Sequence, residues 1–330
     1  MPTIWNSQPW RDEVEAWIRD SVTAAGHELT GPVEQVRVRM WSTQLTVKTT
    51  AGLVWFKENH PGQRAEAAVV DELARLAPDH VVKPLAAERS RGWLLTPDHG
   101  RTLATLASID EDTWCRVVAE FADLQRRVAD HREELMNAGL LPLLPEMAAE
   151  YIEDQIARMR GLAPGDLAYV GPELAERVLR ALPAVGETAR RLAAAAPPVA
   201  SLDHNDLHQN NVFIPHADET TLRFFDFGDA FWAHPFTTLS VPVGVLCRDW
   251  KTEPHDPRIV RVVDSYLEVW SDLGQPAELR EAARLAQEMY PVHRFESWRR
   301  ILEGSPRDEH PDVSETLEYW LGRLADISAR

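Results

Sequence analysis

The chain has little cysteine. Two of its 330 residues, Cys115 and Cys247, are cysteines, and both sit in helix-like apolar patterns. That excludes a disulfide framework or a thiolate metal site as the organising principle. No apolar run approaches the roughly 18–20 residues that a membrane span requires. The start, Met1-Pro2-Thr3-Ile4-Trp5, lacks the basic residues and apolar core of a secretion signal. A cytoplasmic location is the resulting expectation, with no membrane partner. Positive charge is also scarce: 35 Lys and Arg face 52 Asp and Glu, for a net charge of −17. Nucleic acid demands basic patches, so it is not an expected partner. The acidic excess serves solubility first, and is compatible with a cationic small substrate. There is no internal repeat, and Ala193 to Pro198 is only a short biased stretch.

The remaining composition is that of a soluble globular protein, 44% apolar and 26% charged. A chain of this length can build a large core or two lobes. Val14, Trp17, Ile18 and Val22 recur at helical spacing and predict a leading helix over 10–25, ended near Gly26. A β-rich block follows. Val36, Val38 and Met40 alternate with Arg37 and Arg39, Leu45 and Val47 continue the pattern, and Leu53 to Lys57 forms another strand. This reads as an antiparallel sheet with one face buried. A helix is predicted over 63–76, then strands over 81–85 and 92–96. The polar break Pro97-Asp98-His99 precedes Gly100 and marks the expected boundary, with an N-terminal lobe over 1–99 and a helical lobe over 100–330. Helices are predicted over 112–128, 146–160, 173–196, 236–250, 256–273, 277–290 and 312–327. The fold class is therefore α+β and bilobal: a small β-rich lobe, then a large helical one.

Two acidic motifs interrupt the helical lobe. His204-Asn205-Asp206-Leu207-His208-Gln209-Asn210-Asn211 reads H-x-D-x-x-x-x-N, and Phe225-Asp226-Phe227-Gly228-Asp229 contains D-F-G. Kinases of the protein-kinase type use this pair in this order. Asp206 is placed to accept the proton of an attacking hydroxyl. Asn211 and Asp226 are the oxygen donors expected to hold Mg²⁺, a hard octahedral cation. Between them, Val212-Phe213-Ile214 and Leu222-Arg223-Phe224-Phe225 read as the strands of a hairpin, with a polar turn over 215–220. Either motif alone recurs by chance; the two in order, joined by a hairpin, are far more specific.

On His204 to Asn211, Asp226 to Asp229, and the upstream Trp55-Phe56-Lys57 with Glu66, the chain resembles the aminoglycoside phosphotransferase family, within the choline-kinase and protein-kinase-like fold. The resemblance covers about residues 33–235. It implies a phosphotransferase moving the γ-phosphoryl group of ATP or GTP to a hydroxyl of a small molecule. Aminoglycosides, nucleoside antibiotics and amino sugars are the implied acceptors, and antibiotic resistance an implied role. Lys57 matches the phosphate-binding lysine of the third strand, and Glu66 the acid that orients it. Trp55 shares a strand face with Lys57 and is expected in the purine pocket, with Ser42 and Thr96 completing the nucleotide-binding set. His204 is expected to brace the catalytic loop; His208 matches a residue that is often His in the family.

Two departures stand out. The phosphate-covering segment near Arg39-Met40-Trp41-Ser42-Thr43 has no glycine, so it is not a G-x-G-x-x-G loop. Backbone amides or the Ser42 and Thr43 hydroxyls are the substitutes the sequence offers. Asp203 and Asp229 add negative charge beside Asp206 and Asp226, and rank below them as site residues. The acceptor is expected near residues 288–300, where Pro291 interrupts a helix and Tyr290, His293, Glu296 and Trp298 offer stacking faces and polar tips. Helix packing is the competing reading of those four, and Arg294, Arg299 and Arg300 weaken a polycationic acceptor. The alternative from another class is a catalytically inactive, kinase-like nucleotide-binding protein; it predicts loss of Lys57, Asp206, Asn211 or Asp226, all of which are present. A protein kinase is disfavoured, because no A-P-E segment follows Asp226.

Overall fold

The computed structural model describes residues 3–215 and 220–327. In chain order its main elements are α1 (Gln8–Ala24), β1 (Glu34–Val38), β2 (Ser42–Thr49), β3 (Gly52–Asn59), α2 (Glu66–Leu76), β4 (Ala86–Glu88) and β5 (Trp93–Pro97). There follow α3 (Glu111–Val128), α4 (Arg132–Asn137), β6 (Leu141–Pro142), α5 (Ala148–Met159), α6 (Pro172–Ala193) and β7 (Ser201–Asp203). The chain then forms β8 (Val212–Phe213), β9 (Arg223–Phe224), β10 (Phe231–Ala233), α7 (Ser240–Trp250), α8 (Pro257–Glu268), α9 (Pro276–Leu302) and α10 (Thr316–Ala325). The fold is α+β, as the pattern predicts, and it divides into two compact units. The first comprises Met1–Ser108, His131–Leu140 and Gln209–Gly228; the second comprises Ile109–Asp130, Leu141–His208 and Asp229–Arg330.

In the first unit, five antiparallel strands form one sheet in the order β1-β2-β3-β5-β4. Side chains alternate across it, so β2 and β3 send Leu45, Val47, Val54 and Phe56 to one face. There they meet Trp10, Val14, Ile18 and Val22, one stripe of α1. Phe56 is central: it meets Trp10, Trp17 and Trp93 edge-on at centroid distances of 6.5, 5.9 and 5.9 Å. Each fully buried side chain of this kind contributes roughly 1.5–3 kcal/mol. The indole N–H groups do not go unmatched, since Trp10 and Trp93 both donate to the Glu58 carboxylate, at 2.7 and 2.9 Å. With one face of the sheet sealed by α1, its other face is left for Gln44, Trp55, Lys57 and Thr96.

The hairpin carrying the motif residues belongs to this same unit. β8 and β9 pair antiparallel, and Phe213 and Phe225 stack at 4.3 Å. Val81 bridges Phe224, and Thr102 bridges Phe213. The expected divide at residue 99/100 therefore lies inside the first unit's 1–108 span, and residues 209–228 join that unit from far along the chain. Of the turn predicted over 215–220, residues 216–219 lie outside the described residues.

Three predicted elements differ. Residues 81–85 form no strand beyond the single Val81 bridge; Pro84 lacks the N–H a ladder needs. The helix predicted over 236–250 begins with a 3₁₀ turn, Pro235–Leu239, before α7. Most consequentially, Pro291 does not interrupt a helix: α9 runs unbroken for 27 residues through it. Proline removes one intrahelical hydrogen bond, but Met289, Pro291, Val292, Phe295 and Ile301 are all buried around it, and that burial outweighs the lost bond. In the second unit α9 accompanies a short mixed sheet, in which β10 pairs parallel with β6 and antiparallel with β7.

Candidate active site

The first unit holds a cavity of about 270 Å³ on the open face of its sheet. Its lining includes Trp55, Lys57, Glu66, Thr96, Asn211 and Asp226, so six residues singled out in the sequence converge. Strand alternation explains the first two, since Trp55 and Lys57 are two apart on β3 and face the same way. Thr96 pairs with Trp55 across β5. The Trp55 indole N–H reaches Asp98 Oδ1 at 3.3 Å.

Lys57 is the centre of the charge arrangement. Its Nζ lies 2.7 Å from Glu66 Oε2 and 2.6 Å from Asp226 Oδ1. Burial works against its charge, but Asp226 and Glu66 together outweigh that and raise its pKa above the ordinary lysine range. Burial lifts the Glu66 carboxyl, while Lys57 pulls it back down. Glu66 stands in the first turn of α2, where a negative charge is favoured by the helix dipole. It also accepts a hydrogen bond from Asn59 Nδ2, a positioning residue that sequence reasoning missed. Asn59 is two residues beyond Lys57 on the same strand face, which was the available signal.

Asp226 is set by its backbone. Its φ is +66°, the left-handed region that non-glycine residues avoid; holding one there costs roughly 1–3 kcal/mol. Two residues on, a Cβ at Gly228 would lie 2.9 Å from Asn59 Nδ2. A side chain there would have to displace the amide that bonds Glu66. Asn211 is buried at the end of a 3₁₀ turn, Gln209–Asn211, and its carbonyl accepts from Phe225 N at 3.3 Å. Asp226 and Asn211 thus line one cavity. A carboxylate plus a neutral oxygen donor, with room for phosphate oxygens and water, suits Mg²⁺, which keeps several waters and takes few protein ligands. Among the described residues no cluster of three or more His, Cys, Asp or Glu could hold a metal.

Ser42 does not line this cavity. Its side chain is 1% exposed, and Thr43 is fully buried. The Thr43 hydroxyl donates to Arg37 O at 3.2 Å and accepts from Gln35 Nε2 at 2.9 Å.

Asp206 belongs to the second unit, with His208 and Asp203; the chain crosses from one unit to the other at His208–Gln209. Its carboxylate lies 3.3 Å from His208 Nε2 and 3.5 Å from Arg294 Nη1. Burial opposes its charge, but the His208 hydrogen bond and the Arg294 charge outweigh it and hold the pKa down to about 2. The loop before it is strained and pinned. Asn205 has φ +57°, its side chain donates to the carbonyls of Asp229 and His293, both at 3.3 Å, and its own carbonyl accepts from Arg294 Nη1 at 2.9 Å. Asp229 in turn holds Arg294 at 3.4 Å and accepts from the Ser297 hydroxyl. Asp203 is fully buried and lies 2.9 Å from His293 Nδ1. His204, also fully buried, sits against Phe121 at 5.6 Å, in keeping with a bracing role. Arg294, like Asn59, was missed as a site group by sequence reasoning. Its partners lie 65 to 89 residues away in the chain, so no local spacing announced it.

The four residues expected around the acceptor are not gathered into one open surface. His293 is 4% exposed, bound to Asp203, and edge-on to Phe231. Glu296 is 5% exposed and accepts from the Tyr151 hydroxyl and from Arg299 Nε at 2.6 Å and Nη2 at 2.8 Å. Tyr290 meets Trp320 edge-on at 5.4 Å. Trp298 is partly exposed, with the Arg294 guanidinium 6.0 Å from its ring.

A model of the phosphotransferase enzyme family matches residues 45–282, and the chain belongs to that family. No curated protein matches in sequence. Solved structures share the fold at low identity. A macrolide 2'-phosphotransferase from Brachybacterium faecium is 15% identical, with a TM-score of 0.55 over 95% of this chain and 99% of that one. Ethanolamine kinase from Plasmodium vivax is 11% identical, with a TM-score of 0.58 over 88% and 80%. A spectinomycin phosphotransferase, solved with ADP and spectinomycin, is 9% identical, with a TM-score of 0.54 over 94% and 98%. By family the chain is a phosphotransferase, and these structures share its fold. Among the described residues, no helix is long and apolar enough to cross a membrane.

Proposed function

We propose that this kinase moves the γ-phosphoryl group of ATP or GTP to a hydroxyl of a small molecule. The observation that carries the reading is the Lys57–Glu66–Asp226 cluster lining a cavity shared with Asn211. Lys57, held charged, meets the phosphates as a point charge. Trp55 offers its face to the base, and Thr96 borders the same space. Asn211 and Asp226 would hold Mg²⁺, which supplies neutralisation of the phosphate charge when bound.

Asp206 orients the attacking hydroxyl. With a pKa near 2 it is a weak base at neutral pH. A loose phosphoryl-transfer transition state asks little of a base early on. As the acceptor oxygen bonds to γ-phosphorus and the bond to the β–γ bridging oxygen breaks, the hydroxyl proton passes to the Asp206 carboxylate. The nucleoside diphosphate leaves with the bridging-oxygen electrons.

For the acceptor, the neighbours' ligands span macrolides, spectinomycin and ethanolamine, which fixes no single class. Aminoglycosides, nucleoside antibiotics and amino sugars remain the proposed range, with a resistance role among its consequences. Arg294, partly buried and 3.5 Å from Asp206, disfavours an ammonium group close to the reacting hydroxyl, so neutral or anionic hydroxyl compounds are at least as suitable as polycations. Trp298, partly exposed, is the better stacking surface of the expected four, and Tyr290 lies eight residues before it on α9. His293 and Glu296 act through packing and hydrogen bonding. A cytoplasmic setting, where nucleoside triphosphate and Mg²⁺ are abundant, fits this chemistry. The test is a panel of amino sugars, aminoglycosides, macrolides and nucleoside antibiotics with ATP and with GTP, read by diphosphate formation. Acceptor-dependent turnover supports the proposal; nucleotide binding without turnover on any acceptor would instead favour an inactive nucleotide-binding protein.

A further inference from the structure

The glycine-less segment between β1 and β2 leaves a question of what replaces a glycine-rich phosphate loop. Its obvious substitutes face inward. Ser42 and Thr43 are buried, and Arg39 N donates to Ser42 O at 2.8 Å, closing the turn on itself. The register of β1 supplies another candidate. Gln35 pairs with Leu45, but Gln44, the next residue of β2, pairs with Arg37 rather than with residue 36. One extra residue is accommodated there, a β-bulge. Bulges re-aim side chains, and this one has a definite consequence. Leu45 faces the α1 core, whereas Gln44 lines the cavity. A regular strand would have put Val36 opposite Gln44 on the cavity face. The bulge puts Arg37 there instead and leaves Val36 49% exposed.

The same face carries a cross-strand row: Arg37 opposite Gln44, and Gln44 opposite Lys57. All three line the cavity. Two strand spacings separate the Arg37 and Lys57 backbones, roughly 10 Å. Lys57 is committed to Glu66 and Asp226. Among the described residues no hydrogen bond or ion pair engages the Arg37 guanidinium, and its side chain is exposed at the cavity rim. A forked cation with no protein partner, in line with the phosphate-binding lysine, matches a polyphosphate geometrically.

We infer that Arg37, placed on the cavity face by the bulge of β1, binds the terminal phosphates of the nucleoside triphosphate in place of glycine-loop amides. This rests on the nucleotide-binding reading above. The experiment is calorimetric binding, with Mg²⁺ present, of a non-hydrolysable ATP analogue, ADP and adenosine to the parent, Arg37→Met, Arg37→Lys and Arg19→Met. Arg19 is the control, an exposed arginine of α1 that does not line the cavity. Arg37→Met is expected to lose about tenfold to hundredfold in affinity for the triphosphate, less for ADP and nothing for adenosine. Arg37→Lys should recover part of the loss, and Arg19→Met should match the parent. Equal triphosphate affinity in Arg37→Met and the parent overturns the inference while leaving the nucleotide reading intact. An equal loss in Arg19→Met also overturns it, because the effect is then general charge. A parent that binds none of the three ligands overturns the nucleotide reading itself.

Discussion

The two compact units each hold an aspartate against a partly buried cation, and they do so differently. In the first, Asp226 meets Lys57, whose other partner is Glu66. In the second, Asp206 meets Arg294, whose other partners are Asp229 and the Asn205 carbonyl. Lysine is a compact point charge with rotatable donors, and arginine a rigid fork. The Lys57 arrangement can exchange Asp226 for phosphate or metal without losing Glu66. The Arg294 arrangement locks a strained loop, with Asn205 in the left-handed region, so that Asp206 points one way. One cluster is built to trade partners, the other to stay still. Nucleotide binding belongs to the first kind and hydroxyl orientation to the second.

The sharpest break of this contrast is Asp206→Asn. It should lower phosphoryl transfer by at least about 10²–10⁴ and leave nucleotide affinity near the parent value. Next come Asn211→Ala and Asp226→Ala. Both should weaken Mg²⁺-dependent nucleotide binding, with Asp226→Ala the larger because it removes a charge; Mg²⁺ titrations matching the parent would remove both from the metal site.

The third test is of pH. The Asp206 pKa sits near 2, below its ordinary 3.8. A depressed carboxylate contributes stability that is present above about pH 4 and is lost as pH falls towards 2. Activity of the parent should therefore show no acid limb from Asp206 above about pH 3. Arg294→Met removes one of the three groups holding the value down, the others being His208 and His204, and burial then drives it up. Its acid limb should move upward in pH, measured by kcat/KM across pH 4–8. An unmoved limb would mean Arg294 serves the loop alone. The smallest expected effect is Trp55→Ala, a roughly two- to tenfold loss of nucleotide affinity if the ring meets the base.

How far the sequence foretold these clusters follows from chain separation. Lys57 was named on the family resemblance, Asn211 and Asp226 on the two motifs, and Trp55 because strand alternation gives it the face of Lys57. Arg37 was visible only as one of an alternating pair. A period of two read Val36, Val38 and Met40 as the buried face, and the bulge moved Val36 out to 49% exposure. A one-residue insertion in a ladder leaves no trace in hydrophobic pattern. Arg294 and the roles of His293 and Glu296 were illegible for another reason: each bonds to residues across 65 to 145 positions of chain, or to helix neighbours that look like a solvated face. Pro291 misled because a local rule, proline as helix breaker, was overridden by burial along α9.

The most direct test of the account is phosphorus NMR of the protein with Mg²⁺, nucleoside triphosphate and an acceptor that supports turnover in the panel, run beside Asp206→Asn. The account predicts a new phosphomonoester resonance on the acceptor, growing in step with nucleoside diphosphate in the parent and absent from the mutant, while both proteins bind the nucleotide. A phosphomonoester that forms at the parent rate in Asp206→Asn would contradict it.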